Sequence, residues 1–165
     1  MGIDEISLTP VYQTHVLPDF RASLAPGYLV VLEKAEGAGK VGGWCTYEDI
    51  LYFLDNAFGQ ATPGGVGPYT RAYVGPTTTA PAPRVLTLGY GDAAGAYRMQ
   101  GCLVNKLMIS GAYGSPLRFS CDLIGQQVDP LTVAGLADRT VNVVMGHHGA
   151  VYVDAFGGTV GGTAI

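Results

Sequence analysis

Between Tyr97 and Gln126 the chain reads YRMQGCLVNKLMISGAYGSPLRFSCDLIGQ, two runs of alternating apolar and polar residues joined by a Gly/Ser/Pro segment. Successive side chains on a strand point to opposite faces, so this pattern predicts an antiparallel ribbon. One face builds a core and the other meets water, a partner or a channel. Tyr97, Met99, Leu103, Leu107 and Ile109 share one parity, as do Leu117, Phe119, Cys121 and Leu123 on the second strand. Arg98, Gln100, Lys106, Ser110, Arg118, Ser120 and Asp122 take the opposite face, while Asn105, Val104 and Met108 break the division.

Strand signals recur at Tyr28 to Glu33, "YTRAYV", "RVLTL", "RTVNVVM" and "AVYVDA", which makes the chain mainly β. The segment before Tyr28, punctuated by Pro10, Pro18 and Pro26, reads as an extended lead-in, and the Gly-rich run after Glu33 as a turn. One helix is expected, in "TYEDILYFLDNAF": Thr46 is a good N-cap with Asp49 three residues on, and Gly59 closes the end. Ile50, Leu51, Leu54, Ala57 and Phe58 gather on one side of it at helical spacing and should cover an apolar surface.

From Gly59 to Pro83 the run "GQATPGGVGPYTRAYVGPTTTAPAP" is too rich in Gly and Pro for a central strand. A loop this long signals function, disorder or contact with another chain. It lacks the charge of a disordered linker, which favours contact and makes Pro63, Tyr69, Arg71, Tyr73 and Pro76 candidates for an intersubunit loop. The whole chain is poor in charge: 13% of residues, against ~25% in ordinary soluble domains. Much of the surface is therefore expected to meet protein.

The 165 residues fit a single domain, 1–165. A net charge of −4 removes the broad attraction that nonspecific nucleic-acid binders use. No apolar run approaches the ~20 residues of a spanning helix, and "MGIDEISLTP" lacks the basic start and apolar core of a secretory signal. Cys45, Cys102 and Cys121 cannot all pair within one chain and form no CxxC motif, so reduced thiols are expected.

The motifs that carry chemistry are weak or incomplete. "GAGKVG" places Gly37, Gly39 and Gly42 in a G-x-G-x-x-G pattern, but "GWC" separates it from the helix and no acidic residue follows at the required distance, so a turn is the simpler reading. Lys34 and Val41 occupy the places where a phosphate-binding loop around Lys40 needs glycine and Ser/Thr. His147 and His148, with Asp154 as a third group, could hold a metal only on a turn, and a polar hairpin turn explains "MGHHGA" more simply. No serine sits in a G-x-S-x-G elbow, and Cys121 has the parity of a buried thiol. No catalytic, cofactor-binding or metal-binding residue is assigned, and the protein is not expected to be an enzyme.

In order, "WCTYEDILYFLDNAFG", "GPYTRAYVGP", "YRMQGCLVNKLMISG" and "LRFSCDLIGQ" resemble the tail tube proteins (major tail proteins) of long-tailed bacteriophages over most of the chain. The likeness is strongest at Gly101 to Asn105 and in the strand ending Leu123-Ile124-Gly125. The resemblance implies a β-sandwich or barrel flanked by one helix. It also implies homo-oligomeric rings, usually hexameric, stacked into a tube for DNA passage, in a virion tail assembled in the host cytoplasm. Implied partners are the subunit itself, the tape measure, tail terminator and baseplate or tail tip proteins, and transient nonspecific DNA. Arg98, Gln100, Lys106, Arg118, Ser120 and Asp122 would then be channel-facing.

Six subunits giving four strands each, ~4.8 Å apart and tilted ~40°, close at a backbone diameter of roughly 50 Å. That leaves room for a duplex. Type VI secretion inner-tube proteins share this architecture and are the nearest alternative, followed by a carbohydrate-binding or adhesion sandwich using Trp44 and the tyrosines, then an enzyme at His147 and His148. The final "GGTVGGTAI" reads as the start of another strand. The domain is therefore expected to be incomplete at that end or a short form, leaving the fourth strand of a channel sheet unassigned.

Overall fold

The extended lead-in is itself a paired strand, despite its prolines. The computed structural model describes residues 2–19, 27–75, 80, 82–92, 94–132 and 140–152. In it, β1 (Ile3–Asp19) and β2 (Gly27–Trp44) form a long antiparallel hairpin. β1 lies at the edge of the sheet, so Pro10 and Pro18 can sit within it without removing a bond from a central ladder.

The expected Gly-rich turn is instead the interior of β2. A Cβ on Gly37 would come within 2.7 Å of the Met99 sulfur, and one on Gly39 within 2.8 Å of its methyl. These glycines make room for Met99, which is completely buried. The G-x-G-x-x-G pattern thus serves close strand packing.

The other strands are β3 (Leu86–Gly91), β4 (Ala96–Ser110), β5 (Arg118–Gly125) and β6 (Gln127–Leu131). The order is β1-β2-β5-β4-β3, with β6 also paired to β4, all antiparallel. Among the described residues the fold is mainly β with one flanking α-helix and a long Gly/Pro-rich loop. Among the described residues the sheet stays open, with β1 and β3 as edges, and does not close into a barrel within one chain.

Two irregularities in β4 explain why its alternation is imperfect. Between the pairs Leu88↔Met99 and Leu86↔Cys102 the strand gains a residue relative to β3, around Gly101 at φ +66°. Between Val104↔Leu123 and Lys106↔Asp122 it gains another, Asn105, relative to β5. Each bulge reverses the parity. The core side is therefore Met99, then Cys102 and Val104, then Leu107. Leu103 turns to the other face opposite Ile124, and Tyr97 and Ile109, expected in the core, are about half exposed.

The helix α1 (Ile50–Phe58) follows a turn in which the Asp49 N–H donates to Thr46 Oγ1 and the Thr46 hydroxyl donates to Asp49. Gly59 ends it, its N–H on the Asp55 carbonyl. The buried side is not centred where helical spacing of the apolar residues put it. Phe53, Asp55 and Asn56 are buried, Ile50 packs on the core, and Phe58 is exposed. Phe53 meets Phe119 with ring centroids 5.2 Å apart. Around them lie Val41, Cys45, Met99, Cys102, Cys121 and Leu123.

Three expected strands take other forms. "YTRAYV" carries one isolated bridge, Gly64↔Thr70, and no strand. In "RTVNVVM", Arg139 lies outside the described residues, and Val143 and Met145 make single bridges to Thr46 and Pro116. In "AVYVDA", residues 153–155 lie outside the described residues, and the described half forms no strand.

Candidate functional site

Cross-strand neighbours share a face, so the register assembles the outer side of the sheet row by row. One row reads Ser7, Lys40, Asp122, Lys106; the next Glu5, Gly42, Ser120, Met108; the next continues through Trp44, Arg118 and Ser110. Of the expected channel-facing residues, Lys106, Arg118, Ser120 and Asp122 are brought together here. Arg98 and Gln100 lie beyond the Gly101 bulge, opposite Asp129 and Gln127 of β6, and Gln100 donates a 2.7 Å hydrogen bond to Asp129.

The strand that the prolines concealed supplies the charge partners. Lys40 Nζ lies 2.9 Å from Glu5 Oε1, and Arg118 Nη2 lies 2.5 Å from Asp4 Oδ2. The Arg118 guanidinium also sits 4.5 Å from the Trp44 ring centroid. The hydrogen bond and charge of Glu5 hold the Lys40 ammonium above its ordinary pKa. Lys106 stands opposite Asp122. Three cations thus face three carboxylates on this surface. Composition alone could not show the pairing; the alternation of Ile6 and Leu8 with Ser7 and Thr9 was the available signal for β1.

Past Pro10 the hairpin loses the rest of the sheet. β2 pairs with β5 only from Gly37 onward, so residues 11–19 and 27–36 form a two-stranded arm. Val11, Tyr12, Val16, Leu17, Leu29, Val30, Val31 and Leu32 on this arm are all 40–61% exposed. An isolated two-stranded ribbon is marginal in water, and this one presents apolar side chains on both faces.

The Gly59 to Pro83 loop is partly held by its own chain. Tyr73 donates a 2.5 Å hydrogen bond to buried Asp55 and Arg71 a 3.1 Å bond to the Ala61 carbonyl. Burial, then the bond to Asp55, pushes the Tyr73 hydroxyl up to about 12. Pro63 and Tyr69 are exposed, and Pro76 lies outside the described residues.

His147 and His148 form a short 3-10 turn with ring centroids 4.3 Å apart. His148 Nδ1 is 3.0 Å from the Tyr47 hydroxyl. Among the described residues no group of three His, Cys, Asp or Glu is placed to hold a metal ion, and Asp154 lies outside them. The three cysteines are free and buried, and burial pushes the Cys121 thiol up to about 12, away from a reactive thiolate. No described helix is long and apolar enough to cross a membrane. An apolar cleft of about 300 Å³ opens between α1 and β3, lined by Tyr52, Phe53, Leu86, Thr87, Leu88 and Leu123.

Compared with known proteins, the chain matches no family model and no curated protein.

Proposed function

We propose that the protein is a structural subunit of a phage tail tube, forming stacked rings whose lumen conducts DNA. The observation that carries this reading is the outer face of the β1-β2-β5-β4 sheet, where Lys40 and Arg118 are paired with Glu5 and Asp4 of the same subunit and Lys106 stands opposite Asp122 in the register. A wall of unpaired cations would accumulate phosphate contacts and hold DNA, since each released counterion adds to affinity. A neutralised polar wall lets a duplex slide.

The sheet offers four strands, β1-β2-β5-β4, the number that the six-subunit ring geometry takes from each subunit. The open edges β1 and β3 give each subunit two places to join its neighbours by strand pairing. The exposed apolar arm and the low charge content favour burial against further subunits. The same features suit a type VI secretion inner tube, whose cargo is protein; the paired cations, placed where phosphates would pass, favour DNA.

Electron microscopy of the purified protein over a concentration series tests the reading. Tubes that lengthen with concentration support it; a chain that remains monomeric throughout contradicts it.

A further inference from the structure

We infer that the β1-β2 arm of one copy inserts its apolar face into the α1-β3 cleft of a second copy. The inference rests on the self-assembly part of the reading above and is independent of what the tube carries.

The arm has the composition and reach for this. Its register puts Tyr12, Thr14 and Val16 on one face, opposite Ala35, Leu32 and Val30. None is charged. Nine residues of strand extend roughly 30 Å, enough to leave the parent sheet and meet a neighbour. The exposed apolar residues of this face, Tyr12, Val16, Val30 and Leu32, keep roughly 400 Å² in water, about half of the ~800 Å² per partner that a stable interface buries.

The cleft has the matching chemistry. Its lining carries no charged side chain, and Leu86, Leu88, Phe53 and Leu123 form an apolar floor. An apolar cavity of ~150 Å³ takes one benzene-sized group, so about 300 Å³ receives two aliphatic side chains such as Val30 and Leu32. The arm does not fill its own cleft, because its side chains are exposed in the single chain. Face-to-face pairing of two arms would close a dimer and leave both clefts in water. Arm-in-cleft contact is head-to-tail, with one arm and one cleft used per copy, and so propagates into a ring or filament.

The test uses full-length Val30→Cys and Thr87→Cys, both at exposed positions, mixed under mild oxidation and resolved by intact mass. A disulfide-linked heterodimer in the mixture, with little product from either variant alone, is the expected result. Val30→Cys cross-linking to itself equally well would overturn the inference in favour of arm-on-arm pairing. Tubes without the mixed disulfide would overturn it and leave the tube reading standing. The mixed disulfide in short oligomers that never become tubes would support it and contradict the tube. Val30→Asp should keep the wild-type unfolding midpoint while weakening association about tenfold or more; unchanged association would overturn the inference.

Discussion

The side-chain carbonyl of Asn56 accepts a 2.6 Å hydrogen bond from the backbone N–H of Val104. The same amide donates to the carbonyls of Cys102 and Arg84. A neighbouring antiparallel strand would satisfy Cys102 and Val104 in this way, and β3 reaches only as far as Leu86↔Cys102. Asn56 therefore extends the ladder from the helix, at the place where β4 changes parity. Asn56→Ala should destabilise the fold by about 2–4 kcal/mol, because buried backbone groups lose their partners. Asn56→Asp should rescue little, since a carboxylate accepts from Val104 but cannot donate to two carbonyls. Urea unfolding of the two variants measures both effects.

Phe119 was legible as core from alternation alone, and it is buried against Phe53. Phe119→Ala should cost about 3–5 kcal/mol in denaturant unfolding. A near-neutral result would remove the helix-to-sheet contact from the account.

Alternation reads β5 well because that strand is regular, pairing without a shift from Arg118 to Gly125 with β2. It misreads β4 because a bulge adds one residue and reverses every side chain after it. Gly101 is the visible mark of the first bulge; Asn105 gives no comparable signal. β1 was hidden for a different reason: proline argues against central strands, and edge position is a property of the tertiary arrangement. Asn56 was missed because helical amphipathicity counts apolar residues, whereas its burial depends on the backbone groups it satisfies. The arm and the charge pairs needed the β1-β2 register, which joins residues far apart in sequence.

Removing carboxylates from the outer sheet face should turn it into a phosphate-binding surface. The double substitution Asp4→Asn with Glu5→Gln frees Arg118 and Lys40, and Asp122→Asn removes the acid opposite Lys106. The triple variant should bind duplex DNA more tightly at low salt than the wild type, with a log–log salt slope steeper by roughly two to three. Fluorescence anisotropy across a salt series measures it; equal affinities would show that the pairing does not govern DNA contact.

Stability should fall at alkaline pH. The Tyr73 hydroxyl is raised from 10.0 to about 12 and the Cys121 thiol from 9.0 to about 12. Both hold their protons more tightly when folded, so their contribution is complete below the unfolded values and is lost as pH rises towards about 12. Tyr73→Phe should reduce the slope of unfolding free energy between about pH 10 and 12, leaving the part due to Cys121. An unchanged slope would mean that in solution the Tyr73 hydroxyl is neither buried nor bonded to Asp55.

The most direct measurement of the central claim is a cryo-electron microscopy map of the assembled protein, read for which side of the sheet borders the axis. The expected map is a tube with an open channel walled by the face carrying Lys40, Ser120 and Asp122, with α1 outside. A channel lined by α1, or an assembly with no axial channel, would contradict it.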